Sequence, residues 1–167
     1  MGSVSRHRDS PACQQLSAAQ AAALVARASE LQRAAAEGSR QPLLRGKNLG
    51  LLCSDDRAFD ATLFRRAATE LGAHVAHIRP SFGTEGEDVD VLRTAQLLGR
   101  LYDAVDCEGL PHALVEQIAA EAGVPVFDGL AQPQHPTAAL AECIGGDCPE
   151  PDKRRFLLQA LLVSTVG

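Results

Sequence analysis

The stretch from Gly46 to Gly72 constrains the fold most, because it predicts a buried strand, a turn and a helix in direct succession. The run Leu49 to Cys53 is apolar at odd and even positions alike, which is typical of a strand covered on both faces. The helix that follows is predicted to bury four residues at four-residue spacing: Phe59, Leu63, Ala67 and Leu71. It is expected to end at Gly72, a residue suited to a left-handed C-cap.

The same alternation continues along the chain. A first helix is predicted from the capping pair Ser17 and Gln20 to Gly38. Further strands are predicted at Val75 to Ile78, Ala104 to Cys107 and Val124 to Phe127. Further helices are predicted around Val91 to Tyr102, over Pro111 to Ala122 and from Pro136. This order predicts an α/β fold with three layers, in which a four-stranded parallel sheet has helices on both faces.

Composition limits the partners and the compartment. Of the 167 residues 46% are hydrophobic, which is enough for a core, and a net charge of -5 argues against a general nucleic-acid or membrane surface. No apolar run approaches the roughly 20 residues of a membrane span, and the N-terminus lacks an apolar signal-peptide core. Five cysteines at irregular spacings favour reduced thiols. We therefore expect a cytoplasmic protein with a disordered leader at 1–15 and a single domain at 16–167.

Three segments carry a resemblance to a known family. They are GKNLGLLCSDDRAFDATLFRRAATELG from Gly46, LRTAQLLGRLYDAVDCEG from Leu92, and AGVPVFDGLAQPQHPTAALAE from Ala122. In order and spacing they resemble the aspartate and ornithine carbamoyltransferases, with their Asp-Ala-Ile-x-x-Arg strand and their His-Pro-x-Gln-x-Leu helix. The resemblance implies the fold of the N-terminal, carbamoyl-phosphate-binding domain.

The resemblance also implies what lies beyond that domain. Carbamoyltransferases have a second domain for the amino acid, whereas 167 residues fit one domain. The last segment, Pro151 to Gly167, resembles the family's final helix, which packs back on the first domain. We expect a returning helix at 152–166, joined through the loop Gly145 to Pro151 in place of the second domain.

The residues that bind phosphate in the family are the ones that differ. The family's turn after the first strand reads Ser-Thr-Arg-Thr-Arg, and its five places hold Arg57, Ala58, Phe59, Asp60 and Ala61 here. Both arginines of the turn are lost, and a third, at the end of strand three, is replaced by Glu108. Carboxylates directed at a dianion oppose its binding. The resemblance therefore implies a degenerate carbamoyl phosphate site with no catalytic residue.

Two residues of the cleft leave alternatives open. His135 and Pro136 match the family's His-Pro pair, whose His contacts the carbamoyl oxygen, but the Gln two places on is Ala138. His135 either caps the next helix or belongs to a residual ligand pocket. Arg57 either supplies a cation to the cleft or forms a solvated ion pair with its acidic neighbours.

Other candidate sites are weaker. Cys143 and Cys148, with His135, lack the second ligand pair of a structural zinc site, so neither a metal nor a cofactor is expected. The loop SFGTEGE lies where the family lends residues to a neighbouring subunit, and it offers Ser81 and Thr84 but no Lys.

The sequence thus favours a non-catalytic paralogue that acts through assembly or regulation, in amino acid or pyrimidine metabolism. We expect a homotrimer, or a hetero-oligomer with a full-length carbamoyltransferase, and no nucleic-acid or membrane partner. One alternative is a binder or enzyme that uses Arg57, Arg65 and His135 for another small anionic or carbonyl ligand. The other is a carbamoyltransferase completed by another chain.

Overall fold

A single parallel sheet organises the molecule, for which the computed structural model describes residues 16–81 and 88–167. Within these residues four strands are found: β1 Asn48–Cys53, β2 His74–Ile78, β3 Ala104–Glu108 and β4 Val126–Asp128. They are all parallel, in the order β2-β1-β3-β4. The helices are α1 Ala18–Ala36, α2 Phe59–Glu70, α3 Asp88–Leu101, α4 His112–Ala122 and α5 Glu150–Val166, with a 3-10 helix at Ala138–Cys143.

Helices cover both faces of the sheet, which confirms the predicted three-layer α/β fold. Leu51 and Cys53 of β1 face a core shared with α2 and α5, whereas Leu52 faces a core formed with α3 and α4. Both sides of β1 are therefore buried, as its continuous apolar run predicts.

Local signals define the helix ends. Ser17 and Gln20 form the predicted capping box at the start of α1. Gly72 has the expected left-handed backbone after α2, with φ +86°. Gly99 lets α3 approach α4 closely, because a Cβ there would lie 1.7 Å from the carbonyl oxygen of Ala122.

The C-terminal helix α5 is buried on most of its circumference. It packs against α1, α2 and the 3-10 helix. Among its apolar residues, Phe156, Leu157 and Ala160 are buried, and Leu161 and Val163 are half-buried. Arg155 and Gln159 are buried as well, because their polar atoms bond to α2.

Two local predictions are wrong, and one strand boundary is shifted. Phe59 is 58% exposed, because it starts α2 beyond the end of the sheet, where no other described element covers it. No helix opens at Pro136, since the chain makes successive turns there and only the 3-10 helix follows from Ala138. β4 begins at Val126, two residues later than predicted, after Pro125, which has no amide hydrogen to donate.

The predicted leader at 1–15 and Thr84 lie outside the described residues. Across 16–81 and 88–167, no helix combines the length and apolarity needed to cross a membrane.

Candidate functional site

The strand order creates a crevice between β1 and β3. The connection from β1 leads to β2 on one side of the sheet, while β3 is followed by β4 on the other. In open parallel sheets ligands bind outside the carboxyl ends of the two strands where the order reverses. Cys53 and Glu108 pair at this edge, so the turn after β1 and the end of β3 form the two sides of the candidate site.

The turn after β1 is held by its own acidic residues. The Arg57 amide donates to Asp55 Oδ1 at 2.9 Å, and Ala58 occupies the N-cap of α2 without a side-chain hydrogen bond. Arg57, Ala58 and Phe59 are exposed, and Asp60 is half-buried. The first turn of α2 therefore has an exposed aromatic ring, and the charge of Asp60 acts on Glu108 across the crevice.

Ala61, the fifth residue of the turn, does not share this environment. It has no exposed surface and packs in the core with Leu63 and Phe64. Ala61 therefore adds no surface to the crevice.

Asp56 lies beside two basic side chains next to the turn. Its carboxylate lies 3.7 Å from Arg65 Nη2 and 3.6 Å from His77 Nδ1, while His77 Nε2 lies 2.9 Å from the carbonyl oxygen of Cys53. Sequence reasoning named Arg65 but missed His77, because a histidine inside a predicted strand carries no local signal. Arg65 is thus engaged by an acidic neighbour.

The opposite side of the crevice carries two buried carboxyl groups. Asp106 is fully buried and Glu108 is 7% exposed. The amide of Leu130 donates to Asp106 Oδ1 at 3.0 Å, and the amide of Ala131 donates to Glu108 Oε1 at 3.1 Å. Burial raises the pKa of both carboxyl groups; Glu108 raises that of Asp106 further, and Asp60 that of Glu108. The sequence analysis did not identify Asp106, although an acidic residue inside an apolar strand is itself an unusual feature.

His135 lies within the turns that follow β4. Its Nδ1 accepts from the Thr137 amide at 3.3 Å and lies 2.8 Å from Thr137 Oγ1, so the neutral ring carries its proton on Nε2. Burial lowers the pKa of His135, against an opposing effect of Asp128. The ring is therefore neutral at pH 7.

A cavity of about 860 Å³ opens beside His135, between α1, α5 and the end of β4. Leu24, Phe127 and Leu161 contribute apolar lining, and His112 and Asp128 contribute polar lining. His112 Nδ1 lies 2.5 Å from Asp128 Oδ2, and this hydrogen bond, with the charge of Glu116, raises the pKa of His112. Sequence reasoning missed His112, which has no motif around it.

The predicted site residues thus divide into two groups. Arg57, Ala58, Phe59, Asp60 and Glu108 belong to the crevice, whereas His135 lines the cavity. Ala138 starts the 3-10 helix and is not among the residues that line the cavity. Gln132 connects the groups, since it lines the cavity and its side chain interacts with Glu108.

No preformed metal site is found among the residues that the structure describes. Within 16–81 and 88–167, no group of three His, Cys, Asp or Glu side chains could hold a metal ion. Cys53, Cys107, Cys143 and Cys148 are free thiols.

Comparison with known sequences identifies a protein family for most of the chain. The family model for the aspartate/ornithine carbamoyltransferase, carbamoyl-P binding domain, matches residues 8–145. An ornithine carbamoyltransferase of Cutibacterium acnes is 40% identical over 121 residues, 72% of this chain and 36% of that protein. The catabolic ornithine carbamoyltransferase of Burkholderia pseudomallei is 39% identical over 115 residues, 69% of this chain and 34% of that protein. The chain spans about a third of the length of these relatives.

Solved structures agree with the sequence match. The ornithine carbamoyltransferase of Pyrococcus furiosus superposes with a TM-score of 0.65 at 26% identity, covering 76% of this chain and 41% of that one. The aspartate transcarbamoylase of Trypanosoma cruzi, in complex with phosphate, gives a TM-score of 0.66 at 25% identity, covering 80% and 43%.

Proposed function

Since the chain belongs to the aspartate/ornithine carbamoyltransferase family through its carbamoyl-phosphate-binding domain, we propose that it is a non-catalytic member acting in the cytoplasm through assembly or regulation. The family match also confirms the resemblance found in the three sequence segments. Because the crevice differs chemically from the family's motif, we do not expect this chain to have the carbamoyltransferase activity of its relatives.

The observation that carries the proposal is the reversed charge of the crevice. An anion binds well where helix N–H groups and guanidinium groups converge. Here the first turn of α2 offers exposed Phe59 and the carboxylate of Asp60, and the end of β3 offers Glu108. Asp60 and Glu108 are close enough for the charge of Asp60 to raise the pKa of Glu108. A phosphate dianion placed between them would meet repulsion from both sides.

Titration with carbamoyl phosphate tests this proposal, with inorganic phosphate as a second probe. At millimolar concentration we expect neither heat nor a rise in melting temperature for either compound. A ligand at 100 times its Kd stabilises by about 2.7 kcal/mol, which a melting scan detects easily. A clear shift with carbamoyl phosphate alone would contradict a non-catalytic role and favour an enzyme completed by another chain.

A gain-of-function variant is the matched positive control. Phe59→Arg with Asp60→Thr replaces two partly exposed side chains and puts a guanidinium at the first turn of α2. We expect this double variant to gain weak phosphate binding, because it removes one carboxylate and adds one cation. If it too binds nothing, the turn is not the element that determines anion binding.

Assembly is the second part of the proposal. The family resemblance implies trimers, and we propose either a homotrimer of three times 17.6 kDa or a mixed oligomer with a full-length carbamoyltransferase. Light scattering measures the mass of the purified chain, and co-purification with a co-expressed ornithine carbamoyltransferase tests the mixed form. A monomer that captures no such enzyme would refute the assembly role.

The cavity supports a second candidate, a binder of a small anionic or carbonyl ligand. His135 presents a neutral ring whose Nε2 carries a donor hydrogen, and the cavity has the size and apolar lining of ligand sites. His135→Ala should then abolish binding of a ligand found by screening, while Phe59→Arg should leave it unchanged, since Phe59 does not line the cavity.

A further inference from the structure

Two carboxyl groups lie side by side on one face of β3. Ala104 belongs to the core on the α2 and α5 side of the sheet. Because side chains alternate along a strand, Asp106 and Glu108 face that same side. The turn Gly129–Gln132 crosses above them and donates one backbone amide to each group, from Leu130 and Ala131.

Each carboxyl group has one oxygen that these amides do not satisfy. Asp106 Oδ2 and Glu108 Oε2 are buried and have no hydrogen-bond partner among the residues that the structure describes. Two ionised carboxylates, buried next to each other without a cation, would be strongly destabilising. A single proton between the two oxygens would satisfy both, and the two amides would stabilise the remaining negative charge.

We propose that Asp106 and Glu108 share one proton, and that the proton-sharing pair clamps the turn Gly129–Gln132 onto the carboxyl end of β3. Leu130 and Gln132 also line the cavity, so the same turn links the crevice to the cavity.

The surroundings of the pair supply further acids. The ionisable groups whose charge acts on the pair are Asp60 on α2, Asp128 at the end of β4 and the thiols Cys53 and Cys107, and Cys107 lies on the opposite face of β3. Among the described residues, neither carboxyl group has a salt bridge. Within the described ranges the acids Asp60 and Asp128 favour keeping the proton on the pair, whereas hydrogen bonds from the Ala131 amide and the Gln132 side chain lower the pKa of Glu108.

The proton makes the clamp sensitive to pH. Burial raises the pKa of both groups above their unfolded values. Between the unfolded pKa values and those of the folded pair, the folded state holds more protons than the unfolded state. The stability contributed by the clamp is therefore complete below about pH 4 and falls as pH rises through the pKa of the folded pair. Loss of the proton leaves two adjacent carboxylates, and their mutual repulsion should move them apart and release the amides of Leu130 and Ala131.

Asp106→Asn is the decisive variant. Its carbonyl oxygen can still accept from Leu130, and its amide nitrogen donates permanently to Glu108, so the shared proton is no longer needed. Glu108→Gln does the same from the other side and provides an independent variant should one fold poorly. Glu121→Gln is the matched control, because it removes one exposed carboxylate on α4.

Three measurements between about pH 6 and pH 9 test the clamp. In the wild type and in Glu121→Gln we expect an infrared band from a protonated carboxyl group at neutral pH. Both should also lose protection of the Leu130 and Ala131 amides and show a falling melting temperature as pH rises. In Asp106→Asn and Glu108→Gln the band should be absent, protection should persist, and the fall in melting temperature should shrink to less than half.

Other results would overturn the proposal. If both amide variants lower the melting temperature equally at every pH, the pair carries no shared proton. If methylammonium chloride raises the wild-type melting temperature near pH 9 more than sodium chloride does, the groups are both ionised and bind a cation instead.

Discussion

Two regions of this protein bury charge, and they balance it in opposite ways. Between α2 and α5, the guanidinium of Arg155 is buried against carboxylates of Glu70 and Asp152, and Gln159 Nε2 donates to Glu70 Oε2 at 3.0 Å. At the crevice, Asp106 and Glu108 are buried together, and neither forms a salt bridge with another described residue. The helical region resembles an ordinary structural ion network, whereas the crevice has the unpaired charge typical of a functional site or of its remnant.

The difference separates scaffold from chemistry. In a buried ion pair the two charges balance each other within the fold, so substitutions of its residues change the stability of the protein. Buried like charges need a proton or a ligand, so their residues report on what the site holds. The family's fold is kept here, and the crevice at the ends of β1 and β3 carries two buried carboxyl groups.

The largest effect is expected from an arginine placed in the core instead of the crevice. Ala61→Arg buries a cation without a partner and overfills the site, and should cost at least about 4 kcal/mol of unfolding free energy. Phe59→Arg, two residues away but exposed, should stay within about 0.5 kcal/mol. Urea unfolding of both variants measures the difference. Equal costs would mean that Ala61 is not in the core, and that the crevice is larger than described.

The variant Leu162→Asp tests whether the region between α2 and α5 is stabilised mainly by its ion network or by its apolar packing. Leu162 is fully buried on α5, so an unpaired carboxylate there should cost about 3 kcal/mol or more. Leu161→Asp should cost less, because Leu161 is half-buried and lines the cavity. Thermal melts of the two variants provide the measurement, and the reverse order would show that α5 docks with a different face.

Glu70→Ala tests the balanced charge itself. It leaves the buried Arg155 guanidinium with Asp152 alone, which should cost about 3 kcal/mol. Glu30→Ala removes the exposed partner of Arg27 and should cost less than about 1 kcal/mol. A small effect of Glu70→Ala in urea unfolding would mean that the network contributes little, and that the contrast with the crevice is one of geometry only.

The sequence predicted the sheet and most helices because those depend on periodicity. The apolar run of β1, the capping box at Ser17 and the glycine at Gly72 each act through local physics, and each is found where predicted. The predicted burial of Phe59 was wrong, because a four-residue spacing of apolar residues does not reveal where the sheet ends and the second layer stops.

The site was predictable only where a motif marked it. Glu108 was identified because it replaces an arginine in a known pattern. Asp106, His77 and His112 depend on tertiary contacts between residues 16 or more positions apart, which a single sequence does not contain. For the same reason the split between crevice and cavity could not be foreseen, since it is created by the turns after β4.

The smallest effects concern two histidines of the cavity, whose environments differ as the two charged regions do. The hydrogen bond with Asp128 and the charge of Glu116 raise the pKa of exposed His112, whereas burial lowers the pKa of His135. For His112 the stability contribution is complete below its unfolded pKa of about 6.5 and is lost as pH rises through the folded pKa. For His135 the sign is reversed, and stability falls as pH drops below about 6.5.

An NMR titration of the two rings should therefore give separate midpoints, with His112 above His135. Asp128→Asn should lower both pKa values, and that of His112 by more, because Asp128 Oδ2 lies 2.5 Å from His112 Nδ1 and acts on His135 only through its charge. Glu121→Gln serves as the control for a general change in net charge and should move neither midpoint. If the two rings titrate together in the wild type, His135 is open to water, and the cavity then differs from the crevice less than its buried lining indicates.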